Sequence, residues 1–210
     1  GFSGSDNGVG CARADDDSRL YFFAHADSDD GWQTWESQIV RLRVADGQPF
    51  TAGQVHVTKV QDSPFHSPNY LDAGPVVRYG QRLWMLALSG LLAHPQGGIF
   101  HGGLELLWSD DEGGSWTYAG NAIAQPWTFA EHVAAGPNAY ANMNGGLVLV
   151  ADADGDGRDF LYAYFSQGEA GGRLNPLGVA RADVAKLEAR REALAKEIRD
   201  VLSVRCSQDA

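Results

Sequence analysis

Apolar and polar residues alternate along three separated stretches of the chain. The first is RLYFFAHADSDDGWQTWESQIVRLRVADGQPF, from Arg19 to Phe50. The second is RLWMLALSG, from Arg82 to Gly90, with GGLELLWSDDEGGSW after it, and the third is FLYAYFSQG, from Phe160 to Gly168, with PLGVARADVAKL after it. In each, large apolar residues alternate with small or polar ones at the period of two that a half-buried strand requires. A polar break, a second strand-like run and an acidic turn follow. Another short strand precedes each stretch: GVGCARA, AGPVVRY and GGLVLVAD. Each unit therefore predicts an up-and-down sheet of about four strands, the size of a propeller blade. A sandwich or a barrel also uses evenly spaced strands and glycine turns, but the repetition favours an all-β propeller.

The period changes in DVAKLEARREALAKEIRDVLS, from Asp183 to Ser203. Leu187, Leu194, Ile198, Val201 and Leu202 recur at helical spacing among Lys, Arg and Glu, and Asp183 is available as the N-cap. The pattern thus predicts a β-propeller-like domain over 1–183 and an amphipathic C-terminal helix and tail over 184–210. That helix either packs on the outside of the domain or binds a protein partner or a second copy of the chain.

Composition supports the strand-rich reading. The 210 residues include 26 Gly, six Trp, seven Tyr and nine Phe, a turn-rich and aromatic balance unlike that of a helical bundle. No apolar run approaches the roughly 20 residues that cross a bilayer. The formal net charge of −11 argues against nucleic acid or an anionic membrane surface, since phosphate binding needs clustered Lys and Arg; a neutral ligand or a metal cation fits better. Cys11 and Cys206 stand near opposite ends, so they form no local metal cluster. Either they close the domain as a disulfide in an oxidising compartment or they are unrelated thiols. With a first residue, Gly1, that suggests a processed or truncated start, the expectation is a secreted or periplasmic protein.

The stretch SDDEGGSW matches Ser-x-Asp-x-Gly-x-Ser/Thr-Trp at Ser109, Asp111, Gly113, Ser115 and Trp116. A short acid there accepts the turn's N–H groups, Gly supplies an unusual dihedral and Trp covers the outer strands. The motif resembles the Asp-box at the blade hairpins of sialidases and related glycoside-hydrolase propellers, where it staples the fold away from the substrate channel. AGPVVRYGQRLWMLALSG followed by LELLWSDDEGGSW is similar in rhythm to the five-bladed glycosidases that attack arabinans and xylans. The chain departs from that family in showing three units, whereas a closed ring needs at least four blades. Either the strands are distributed differently, or the chain is part of a larger chain or assembly.

Glycoside hydrolysis needs two carboxyl groups flanking the bond. The resemblance implies that these two, and a third acid that tunes their pKa, come from the starts of the innermost strands of successive blades, where this sequence offers Asp6 in SGSDNG, Asp72 in NYLDAGPVV and Glu131 in FAEHVAAGPNAY. It assigns Asp6 as base, Asp72 as the group that tunes the pair and Glu131 as the acid, which needs a raised pKa to hold its proton. Read without the resemblance, Asp6 is part of a terminus, Asp72 caps a turn and Glu131 is a solvated loop acid. Sugar faces stack on flat rings, and Trp32, Trp35, Trp127, His66, Asn69 and Tyr70 lie in predicted loops, where binding residues concentrate. The long linkers at about 51–71 and 121–144 are candidates for a site wall. His25, His56, His94, His101 and His132 lack close ligand spacing, which predicts no zinc site.

In DADGDGRD, Asp152, Asp154 and Asp156 alternate before Gly157, with Asp159 closing. Such spacing wraps hard oxygen ligands around Ca²⁺ and resembles the calcium loops of integrin-type propeller repeats, although Asp159 comes one residue early. The alternative is a polar hairpin supported by Gly155 and Gly157. The leading expectation is a carbohydrate-active propeller acting as a glycoside hydrolase. A non-catalytic glycan-binding propeller and an assembly module are the alternatives, because propellers host many functions.

Overall fold

The computed structural model describes residues 9–27, 36–61, 69–93, 99–123, 130–131, 134, 143–152, 155–167 and 177–190. They are mostly strands in antiparallel sheets, with a helix over 184–190. The chain divides into two compact units, one of Gly1–Val148 with Ala163–Ala180 and one of Leu149–Tyr162 with Arg181–Ala210.

The first sheet contains β1 (Gly10–Arg13), β2 (Arg19–Asp27), β3 (Glu36–Val44) and β4 (Gln54–Val57), each antiparallel to the next. Along β2 the expected alternation holds: Leu20, Phe22 and Ala24 are buried while Tyr21 and Phe23 are half-buried. The acidic β1–β2 turn closes because Ala14 N–H donates to Ser18 O at 2.9 Å and Ser18 N–H donates to Asp16 Oδ1 at 3.0 Å. Short carboxylates favour such turns because they accept backbone donors locally.

The second sheet holds β5 (Lys59–Gln61), β6 (Asn69–Asp72), β7 (Val76–Tyr79), β8 (Arg82–Ala93), β9 (Ile99–Ser109) and β10 (Ser115–Ile123). Its order is β5-β10-β9-β8-β6, with β7 also on β8; β5 runs parallel to β10 and the other pairs are antiparallel. β6 and β7 thus lie end to end along β8. Asp72 pairs with Leu88 and Val76 with Met85, so the link Ala73–Pro75 holds one residue more than the facing segment and forms a bulge.

Three expectations change here. The stretch at 51–71, expected as a loop wall, contains β4, β5 and the start of β6, and β10 runs into the second expected linker as far as Ile123. QVHV and KVQ are too short and polar to register as strands, yet ladder bonds to a neighbour hold them. Thr58, between them, donates both its N–H and its Oγ–H to Ile39 O, at 2.9 and 2.7 Å. Asn69 and Tyr70 accordingly sit on a strand rather than in a loop. The third change concerns β8: Leu83 to Leu88 are each no more than 1% exposed, so the strand is buried on both faces instead of half-buried. LWMLAL has an apolar residue at every position, which suits a sheet covered on both sides.

The first two sheets pack face to face. Leu20, Phe22 and Ile39 from one meet Leu71, Ala73, Met85, Leu107 and Trp116 from the other in a single apolar cluster. At its centre the rings of Phe22 and Trp116 are edge to face, 5.3 Å apart and inclined by 81°. Burying each of these large side chains contributes roughly 1.5–3 kcal/mol.

The third sheet is β11 (Met143–Val150), β12 (Phe160–Gln167) and β13 (Leu177–Asp183), in that order. It has three strands among the described residues where the repeat predicts four, because the chain turns into the helix directly after β13. The expected N-cap is in place: Asp183 Oδ1 accepts the N–H of Lys186 at 3.3 Å. The part of the expected helix beyond residue 190 lies outside the described residues.

Candidate functional site

The hairpin between β9 and β10 brings Ser109, Asp111, Gly113, Ser115 and Trp116 together. Ser109 Oγ accepts the N–H of Gly113 at 2.8 Å and donates to Asp111 Oδ1 at 2.7 Å. Asp111 Oδ1 and Oδ2 accept the N–H and Oγ–H of Ser115 at 2.9 and 2.8 Å. Burial works against the Asp111 carboxylate, but the backbone N–H of Ser115, the Ser109 and Ser115 hydroxyls and the Arg41 charge together outweigh it and hold its pKa below the usual value. Gly113 has φ 75°, and a Cβ there would stand 2.3 Å from the Phe22 ring. Backbone conformation and close packing both demand glycine at this position. Trp116 is fully buried. Each of these residues closes the turn or fills the core.

The candidate carboxylates have different settings. Asp72 ends β6 and is fully buried. On β8 it faces Leu88, which in turn faces Leu104 on β9. Glu131 lies in a short helical stretch and is exposed. Asp6 lies outside the described residues, whereas strand β1, which starts four positions later in the chain, is described. A Cβ on Gly10 would stand 2.4 Å from the carbonyl O of Gly74. Strand β1 and the β6–β7 link therefore touch backbone to backbone, four residues after Asp6 and two after Asp72. Among the aromatic and polar candidates, Trp32, Trp35, Trp127 and His66 lie outside the described residues, and Asn69 and Tyr70 are placed by their backbone on β6.

In the stretch 152–159 the described carboxylates serve the turn. Asp152 Oδ1 accepts the N–H of Gly157 at 2.7 Å, Asp159 Oδ1 accepts the N–H of Asp152 at 2.9 Å, and Asp156 pairs with Arg158. Asp154 lies outside the described residues. Among the described residues no group of three or more His, Cys, Asp or Glu is placed to hold a metal ion. Cys11 is an exposed free thiol, and Cys206 lies outside the described residues. No described helix is long and apolar enough to cross a membrane.

Two acids escaped the sequence analysis. Glu105 is fully buried on β9 opposite Ala87, within GGLELLW, which reads as an apolar run. A carboxylate between leucines is itself the signal, since a buried acid requires built partners. Glu112 occupies an unspecified place in the turn motif, so nothing local marks it.

No family model matches the sequence. Comparison with curated proteins gives no match either. Among solved structures the chain is similar to the alpha-L-arabinanase of Cellvibrio cellulosa, with a TM-score of 0.45 and 13% identity, over 81% of this chain and 51% of that one. The chain thus spans about half the length of that structure.

Proposed function

We propose that this chain is a carbohydrate-active propeller-type module whose chemistry is glycoside hydrolysis by carboxylates, with Asp6 as base, Asp72 as the tuning group and Glu131 as acid. The observation that carries the reading is the backbone contact of Gly10 with Gly74. It joins strand β1, which starts four positions after Asp6 in the sequence, to the link that follows Asp72. In this reading SDDEGGSW is an Asp-box that staples one blade. Complete burial of Asp72 suits a group that acts on its neighbours through its charge rather than by touching substrate. Exposed Glu131 needs desolvation to keep its proton, and the bound sugar would supply it by covering the carboxyl. On its spacing alone we also propose Ca²⁺ for the 152–159 loop, with Asp152, Asp154, Asp156 and Asp159 as the residues that would hold it.

The test is turnover of a panel of polysaccharides and aryl glycosides, with and without Ca²⁺, by the wild type, Glu131→Gln and Asp72→Asn. The expected result is hydrolysis by the wild type and a loss of about 10²-fold or more in kcat for Glu131→Gln, the scale of general acid catalysis, with ligand affinity retained. Hydrolysis that survives Glu131→Gln unchanged rejects the assignment. Binding without turnover in all three proteins points to a glycan-binding module.

A further inference from the structure

We infer that Glu112 is a latch that fixes the first sheet on the second, not merely a residue of the β9–β10 turn. Its backbone has φ 56°, the left-handed region where glycine is at ease and a long side chain is strained. The side chain is only 20% exposed and leaves its own hairpin for the other sheet. Oε1 accepts the N–H of Asp15, in the β1–β2 turn, at 2.6 Å, and Oε2 accepts Nη1 of Arg43, on β3, at 2.8 Å. Arg78, on β7, brings Nη2 within 3.8 Å of Oε1. The peptide of the same residue is held as well, since Arg41 Nη1 donates to Glu112 O at 3.0 Å.

These partners are tied to each other around it. Arg43 Nη2 pairs with Asp16 at 2.8 Å, and Arg78 donates to Asp15 Oδ1 at 2.9 Å and to Arg13 O at 2.7 Å. One carboxylate thus joins the β1–β2 turn, β3 and β7. Apolar burial between sheets has no direction of its own, whereas charge-assisted bonds of this kind fix a register. The latch pins the seam of β1 and β7 at the Arg13–Arg78 end, and the contact of Gly10 with Gly74 pins the other.

Glu112→Gly separates the two roles, because glycine relieves the backbone while removing the side chain. A latch predicts a melting temperature lower by about 4 °C or more. It also predicts exchange of the Asp15 amide hydrogen accelerated at least about tenfold, while the Gly113 amide, bonded to Ser109 Oγ, stays protected. A variant that melts at or above the wild-type temperature with unchanged Asp15 exchange overturns the inference. Should Glu112→Gly not fold, Glu112→Gln keeps the length and an acceptor for Asp15 while losing the charge. Combined with Arg43→Met, it is expected to give clearly non-additive melting shifts; additive shifts overturn the latch.

Discussion

Asp111 shows how a single side chain in this protein becomes sensitive to acid. Its carboxylate accepts three bonds from Ser109 and Ser115 across both oxygens, an arrangement that the ionised form satisfies best, and its pKa is held below the ordinary 3.8. A folded pKa below the unfolded one means that the contribution to stability is complete above pH 3.8 and is lost as pH falls through the folded value. Asp16 follows the same sign. The hydroxyl and N–H of Ser18, then Arg43, hold it at about 2 against an ordinary 3.8. In Asp111→Asn we expect the deficit in melting temperature relative to wild type to be greatest at neutral pH and to shrink as pH drops below about 4, the ordinary carboxylate range. A deficit that stays constant to pH 2 would show that the charge is immaterial. The roles of Ser109, Asp111 and Ser115 were legible in the sequence because their bonds span two to four residues. Glu112 was not, because its partners are 69 and 97 positions away.

Among the elements, the link between β6 and β7 is the least forgiving. A Cβ on Gly74 would stand 1.7 Å from the carbonyl O of Leu86, an atom of the adjoining backbone that no rotamer change can move. Leu86 N–H in turn donates to Pro75 O at 3.1 Å, so shifting β8 away breaks the bond that closes the bulge. Gly74→Ala is therefore expected to cost about 4 kcal/mol or more, at the extreme of single substitutions, read as a fall in melting temperature or urea midpoint. Gly80→Ala in the β7–β8 turn serves as comparison. There φ is 58° but open space surrounds the missing Cβ, so only the left-handed backbone resists and the loss is about 1 kcal/mol. Equal losses at the two sites would mean that the close approach is not what Gly74 supplies. The strands β2, β7, β8, β9, β11 and β12 were legible from their apolar runs. Edge strands β4 and β5 were not, since they are held by neighbours and carry little apolar signal of their own.

For the whole molecule, the decisive feature is a middle strand with both faces covered. Residues Leu83 to Leu88 on β8 pair with β9 on one side and with β6 and β7 on the other, and their side chains are buried. Their amides are expected to exchange only through global unfolding, making them the slowest among the described residues, whereas the amides of β4, all of whose side chains are exposed, exchange by local opening. Exchange of β8 as fast as that of β4 would contradict the central placement. The sequence by itself determined what depends on near neighbours: period-two strands, an acid-and-serine turn, a capped helix start and a net charge unsuited to phosphate. Tertiary structure decided which strands share a sheet, that β8 is covered twice, that Gly10 meets Gly74 and that Glu112 reaches Asp15 and Arg43. Local pattern fixes backbone shape through bonds a few residues long, but contacts between sheets depend on how whole surfaces fit, and no single window of the chain contains both surfaces.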